Sequence, residues 1–166
     1  QVLIFTRTKH RATKLAEQLS KAGFATASLQ GNLSQNKRDA AMLAFRRGKV
    51  KVLVATDIAA RGIDVVDVSH VINYDVPDTA EAYTHRTGRT GRMEHLGTAF
   101  SLVTQEDLAM VRSIEKLMGL KLERRNVDGY TVRLNDPRQN APAKKQGRMS
   151  RSNQKNRYRS SAKQQS

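Results

Sequence analysis

Residues 83 to 92 read Tyr83-Thr84-His85-Arg86-Thr87-Gly88-Arg89-Thr90-Gly91-Arg92. Three arginines at spacing three, broken by two glycines, are built to aim guanidinium groups at a polyanion. Arginine suits that task because it stays charged and grips phosphate oxygens in a bidentate fork. Inside a helix, each glycine costs about 1 kcal/mol relative to alanine. A helix entering this stretch is therefore predicted to end near Gly88, leaving Arg89 and Arg92 on a loop. There, glycine's freedom at positive φ lets the two forks converge on one target. The alternative for the stretch alone is a solvated basic turn.

A second dense cluster follows an apolar run, Ala55-Thr56-Asp57-Ile58-Ala59-Ala60-Arg61-Gly62-Ile63-Asp64. A threonine at a strand end can offer a hydroxyl and a backbone N–H to phosphate. Gly62 permits close backbone approach, and Asp64 is an acceptor suited to a ribose hydroxyl. The alternative is a capped loop in which Asp57 or Asp64 satisfies helix amides. Gln35-Asn36-Lys37-Arg38 could set Arg38 against a nucleic-acid backbone, or serve only as a soluble helix surface. Neither G-x-x-x-x-G-K-[ST] nor a strand followed by G-x-G-x-x-G occurs, so the chain lacks the usual glycine cradle for a triphosphate. No strand-end carboxylate pair for magnesium is evident. Positioned arginines could still complete a site on another domain, where such fingers contribute about 10³ to 10⁵ in rate.

Composition narrows the partners. The 166 residues carry a net charge of +15. Residues 1 to 130 hold 20 Lys+Arg against 14 Asp+Glu, whereas residues 131 to 166 hold 10 against 1. A tail so basic binds anions, nucleic acid being the usual one. With no cysteine, disulfides, thiolate zinc sites and cysteine nucleophiles are excluded, and four scattered histidines do not make a metal site. No apolar run approaches the about 18 residues of a membrane span, and a soluble, cytoplasmic protein fits. The chain opens on Gln1 and falls directly into Val2-Leu3-Ile4-Phe5, which reads as a fragment of something longer.

The elements that must position these residues alternate. Strands are expected at Val2 to Phe5, Ala25 to Leu29, Val50 to Ala55, Val68 to Tyr74 and Thr98 to Val103, with a short last one possible at Leu120 to Glu123. The first helix starts at a Thr8 cap, buries Ala12, Leu15, Ala16, Leu19 and Ala22, and stops at Gly23. A second, capped by Ser34, carries Ala40, Ala41, Ala44 and Phe45 inward and runs to Gly48. Asp78 and Glu81 form a capping box for the helix that delivers His85 and Arg86. The last helix turns Leu108, Val111, Ile114 and Met118 inward and ends at Gly119. The alternation specifies an α/β fold, a parallel sheet with helices on both faces, and ligands of such sheets bind beyond the carboxyl ends of the strands. A helix after the fourth strand runs back from that edge, so simple winding does not explain how Arg89 and Arg92 would reach it. The domain is placed at 1 to 130 and a disordered basic tail at 131 to 166, in which Tyr158 could stack on a base.

Together and in this order, these stretches resemble the C-terminal RecA-like domain of DEAD-box RNA helicases, over residues 1 to about 126. Val2 to Lys9 looks like motif four, Gln35 to Arg38 the Q-x-x-R element, Val54 to Asp64 motif five and His85 to Arg92 motif six. The resemblance implies that Arg89 and Arg92 reach the γ-phosphate of ATP held with Mg2+ mainly by an N-terminal domain. It further implies that Asp64 holds the ribose with Gly62 and Arg61 shaping the loop, and that His85 couples the cleft to the partner domain. Thr8, Gly31, Arg38 and Thr56 would line a single-strand RNA backbone track. Domain closure around ATP and RNA would then bend one strand and separate a short duplex locally. Arg86 receives no role. Thr87, Gln30 and Met93-Glu94 depart from the family's usual Ile, His and Ala-Gly, and the end of the domain looks most like bacterial members.

The leading expectation is half of an ATP-dependent RNA helicase, inactive alone. The alternatives are a nucleic-acid-binding or annealing module without an ATPase role, against which Arg89, Arg92 and Asp64 argue, and a DNA helicase of the same superfamily.

Overall fold

The structure, a computed structural model, describes residues 1–60, 68–90 and 97–125. Five strands, β1 (Val2–Thr6), β2 (Thr26–Leu29), β3 (Val52–Thr56), β4 (His70–Asn73) and β5 (Thr98–Ser101), alternate with helices α1 (Lys9–Lys21), α2 (Gln35–Arg46), α3 (Asp57–Ala60), α4 (Ala80–Thr87) and α5 (Leu108–Met118). The strands form one sheet in the order β2-β3-β1-β4-β5, every pair parallel. This is the expected RecA-like α/β sheet. β3 is buried at all five positions, as its β-branched and apolar sequence requires of a strand covered on both faces. The edge strand β5 is exposed over Thr98, Ala99 and Phe100.

Alternation along β1 divides the core. Leu3 and Phe5 pack with Phe45 of α2, Ala59 and Ala60 of α3, and Val68, while Ile4 packs with Ala12 and Ala16 of α1. α1 thus covers one face and α2 and α3 the other, as right-handed crossovers demand. A third cluster joins Val76, Tyr83 of α4 and Ile114 of α5. Tyr83's hydroxyl is pushed above its ordinary pKa by burial, an effect offset in part by a hydrogen bond with Ser101. Among the described residues no helix is long and apolar enough to cross a membrane.

Several local expectations change. Thr8 caps α1 as expected, accepting from the Arg11 N–H at 3.2 Å, and Gly23 follows at φ 92. Ser34 holds the cap position of α2 but makes no side-chain cap bond; the first turn there is exposed, so water can serve its amides. Of the expected inward face of α2, only Phe45 is fully buried. The cap of α4 is Thr79, which accepts from the Ala82 N–H at 3.1 Å, not Asp78, whose carboxylate turns to Arg7 at 3.3 Å. In α5 Met118 is 38% exposed and Glu115 is buried instead, because Glu115 accepts from the Leu122 N–H at 3.3 Å and ties down the exit from the helix. Leu120 to Glu123 forms no strand. The predicted tail lies outside the described residues.

Candidate nucleotide and nucleic-acid interface

β3 ends at Thr56, and Asp57 opens α3 with no intervening turn. The Asp57 carboxylate accepts two hydrogen bonds from Arg86, from Nε at 2.7 Å and Nη2 at 2.6 Å. Arg86 Nη1 also donates to Asn73 Oδ1 at 3.1 Å and to the Asp75 carbonyl at 2.8 Å. Its guanidinium lies 5.0 Å from the centroid of the Phe5 ring, within cation–π range. Arg86 is 3% exposed. Burying a guanidinium is tolerable only when its donors are satisfied and its charge is paired, and this one spans the ends of β3 and β4 from the last turn of α4. It is the residue that sequence reasoning left without a role. The available signal was compositional: an arginine three residues before Arg89, on a helix with an apolar face, and an aspartate at a strand end.

Further bonds fix the neighbouring loops. Asp75 accepts from the Arg7 backbone N–H at 2.8 Å and pairs with the Arg11 guanidinium, which sets the loop that carries Thr8. Lys9 Nζ donates to Asn32 Oδ1 at 3.1 Å, joining that loop to the one after β2. Gln30 accepts from the Asn32 N–H at 2.6 Å and so shapes the turn around Gly31. A Cβ at Gly31 would meet nothing within 4 Å, leaving the backbone open to approach. Arg38 Nη2 donates to the Ala59 carbonyl at 3.3 Å, linking α2 to α3.

Thr8 and Gly31 therefore sit just past, and Thr56 at, the carboxyl ends of three adjacent strands, with Arg38 beside them. Thr8 and Gly31 are exposed, Arg38 is half-buried and Thr56 is buried. The cap bond uses an acceptor lone pair of the Thr8 hydroxyl and leaves its proton to donate. Such a row offers hydroxyl, backbone amide and cationic groups, a set suited to phosphate and sugar.

The arginine loop is placed differently. α4 ends at Thr87 with Gly88 as its cap residue, as the glycines foretold, but Gly88 has φ −65 and does not use the left-handed region. Added bulk there would still crowd the Thr84 carbonyl, which a Cβ at this position would approach to 3.1 Å. Thr87 donates back to the Tyr83 carbonyl at 3.0 Å, so the departure from isoleucine is satisfied within the helix. The Arg89 carbonyl accepts from the Val68 N–H at 3.3 Å, and Thr90 bridges Val68. The Arg89 backbone is thus held where the chain enters β4, not at the row of strand ends. His85 is exposed in the last turn of α4. Arg61, Gly62, Asp64 and Arg92 lie outside the described residues.

The donor set bears on the groups that the resemblance implies. Among the described residues no group of three or more His, Asp or Glu could hold a metal ion, and the Asp57 carboxylate is already engaged by Arg86. The described residues therefore provide no magnesium cage.

Residues 1–94 match the family described as the helicase conserved C-terminal domain. The DEAD-box ATP-dependent RNA helicase CshA of Bacillus subtilis is 45% identical over 122 residues, 74% of this chain and 25% of that protein. The ATP-dependent rRNA helicase RRP3 of Candida glabrata is 46% identical over 127 residues, 76% of this chain and 26% of that protein. Among solved structures, E. coli DEAD-box protein SrmB, bound to regulator of ribonuclease activity A, superposes with a TM-score of 0.73 at 41% identity, covering 77% of this chain and 75% of that one. The chain spans about a quarter of the length of the curated relatives it matches. With its RecA-like sheet and its arginine loop, the chain belongs to the helicase conserved C-terminal domain family, in its DEAD-box branch.

Proposed function

We propose that this chain is the C-terminal half of an ATP-dependent RNA helicase. In this reading it holds one RNA strand by its backbone and completes an ATP site whose phosphate cradle lies on an N-terminal RecA-like domain. The observation that carries the reading is the row of Thr8, Gly31 and Thr56 at the carboxyl ends of three adjacent strands, with Arg38 alongside and Arg86 locking α4 to the same edge.

The Thr8 hydroxyl, the Gly31 amide and the Arg38 guanidinium bind phosphate and 2′-hydroxyl groups, which distinguishes RNA by its sugar and not by its bases. Thr56, at the end of the fully buried β3, keeps the floor of that row rigid. Arg89 and Arg92 offer fixed positive charge to the phosphate end of a nucleotide presented by the partner domain, Asp64 takes the ribose with Gly62 and Arg61 framing it, and His85 meets the partner domain. ATP, with Mg2+ held mainly by that domain, supplies the cleavable phosphoanhydride. Arginines placed in this way act by electrostatic stabilisation where charge develops. Because Asp57 joins Thr56 at the RNA row to Arg86 on the helix leading to Arg89, RNA on one side and nucleotide on the other bear on one rigid unit. Closure of the two domains bends the bound strand and opens a short duplex. RNA binding through this edge, the cytoplasm as the place of action and inactivity of the isolated chain belong to the same reading.

The test is RNA-stimulated ATP hydrolysis by this chain joined to an N-terminal DEAD-box domain. Arg89→Ala is expected to lower turnover by about two orders of magnitude or more, the scale of a lost arginine finger, while RNA affinity is retained. Unchanged turnover would return Arg89 to surface charge and favour a pure binding module.

A further inference from the structure

We propose that the opposite, amino edge of the sheet is a second RNA-binding surface, in which Arg47, Lys49 and Lys51 take backbone phosphates and Phe24 stacks on a base. The proposal rests on the RNA reading above but uses different residues. Two turns build this edge. One leads from α1 into β2 through Ala22 to Ala25, the other from α2 into β3 through Arg47 to Lys51. They lie side by side, since the Lys51 and Val52 N–H groups both donate to the Ala25 carbonyl, at 2.8 and 3.1 Å. Lys21 closes the last turn of α1 and Arg47 caps α2. All of Lys21, Arg47, Lys49 and Lys51 are exposed.

No Asp or Glu occurs among residues 18 to 38 or 40 to 56. The carboxylates that flank this stretch are Glu17, one turn before Lys21, and Asp39, at the far end of α2, where it accepts from Gln35 at 2.8 Å. Like charges gathered in this way repel one another at a cost that a polyanion relieves. Phe24, in the first of these two turns, is 54% exposed. A merely solvated charged surface gains nothing from a phenyl ring in water, whereas cations around an exposed aromatic are the elements of single-strand binding: charge follows the backbone and the ring stacks on any base. Strands of four to five residues separate the two edges by about 13 to 17 Å, so this is a site apart from the row at the carboxyl ends. It suits RNA flanking the segment held there.

The experiment uses the full 166-residue chain, so that the basic tail contributes equally to every variant, with a fluorescent single-stranded oligouridylate followed by anisotropy across a salt series. The variants are F24A, the triple R47Q/K49Q/K51Q, and R38Q as a report on the carboxyl edge. All three amino-edge cations and Phe24 are exposed, and circular dichroism checks that the fold survives. The triple variant is expected to flatten the slope of log affinity against log salt by about 2, from three phosphate contacts at about 0.7 each. F24A is expected to lose about fivefold or more in affinity with the slope unchanged. Parental slope and affinity in both variants would overturn the proposal and leave solvated charge. Unchanged RNA affinity in F24A, with polyglutamate binding the parent more tightly than the triple variant, would overturn it in favour of an acidic protein segment. Loss in R38Q alone sinks only the second surface; loss at the amino edge alone sinks only the reading of the first.

Discussion

The two edges of the sheet handle positive charge in opposite ways. At the carboxyl edge cations are spent on carboxylates: Arg86 on Asp57, Arg11 on Asp75, Arg7 on Asp78 and, at 4.0 Å, Asp107. At the amino edge a comparable number of cations stands in a stretch of sequence without acid. A paired arginine buried at 3% exposure cannot bind a ligand, but it can hold other residues where a ligand will meet them. An exposed lysine among its own kind holds nothing in place and remains available to a polyanion. Charge near a functional edge is therefore not evidence of contact, and the pairing decides whether a cation positions or binds.

The sharpest way to break this contrast is to remove one cation from each edge. Arg86→Ala leaves Asp57 facing a cavity without its counter-charge, and urea unfolding should show a loss of about 3 kcal/mol, the lower end for a broken buried pair because Asp57 is 40% exposed. Lys49→Gln should change stability by less than about 0.5 kcal/mol, as exposed substitutions do. Equal effects would mean that the two edges do not differ in kind. A double-mutant cycle of Arg86→Ala with Asp57→Ala should recover a coupling of about 1 to 3 kcal/mol, as residues in one network do.

A smaller effect separates the cap from its neighbour. Thr79→Ala should cost about 1 kcal/mol by exposing the first turn of α4, whereas Asp78→Ala, which breaks only a surface pair with Arg7, should cost less than that. The reverse order would restore the capping box expected from the sequence. The smallest effect is one of pH. Tyr83's pKa is raised in the fold by burial, so its neutral form contributes stability that is fully present below its unfolded value of about 10 and is lost as pH rises through the higher folded value. Tyr83→Phe should flatten that alkaline decline in thermal unfolding, and no such change should follow from substitutions at the amino edge.

Much of the fold was legible because it depends on patterns that act locally. Alternation of apolar strands and amphipathic helices gave five strands and their parallel sense, and the glycines at 23, 88 and 119 marked where helices stop. Two of the departures share a cause. Asp78 was read as a cap because Asp followed three residues later by Glu is a capping pattern, yet Arg7, distant in sequence, draws it away. Met118 was read as core because its spacing fits, yet α5 turns Glu115 inward to meet the chain's exit. In each case a contact outside the helix outbid the rule read from within it.

The candidate site divides along the same line. Which residues could touch phosphate, and in what order they occur, was written in Thr8, Gly31, Arg38, Thr56 and the arginine string. That three of them line up at the ends of β2, β3 and β1 depended on a strand order that sequence spacing does not encode, since crossovers of similar length can step over one strand or none. The role of Arg86 was likewise out of reach, because its four hydrogen bonds go to Asp57, Asn73 and Asp75, groups separated from it by 11 to 29 residues. Sequence by itself determined the chemistry available and the elements that carry it, through periodicities that each element expresses alone. Only the tertiary structure decided which arginine is buried and which edge stays charged, because burial and pairing belong to chains of contact between elements and not to any one of them.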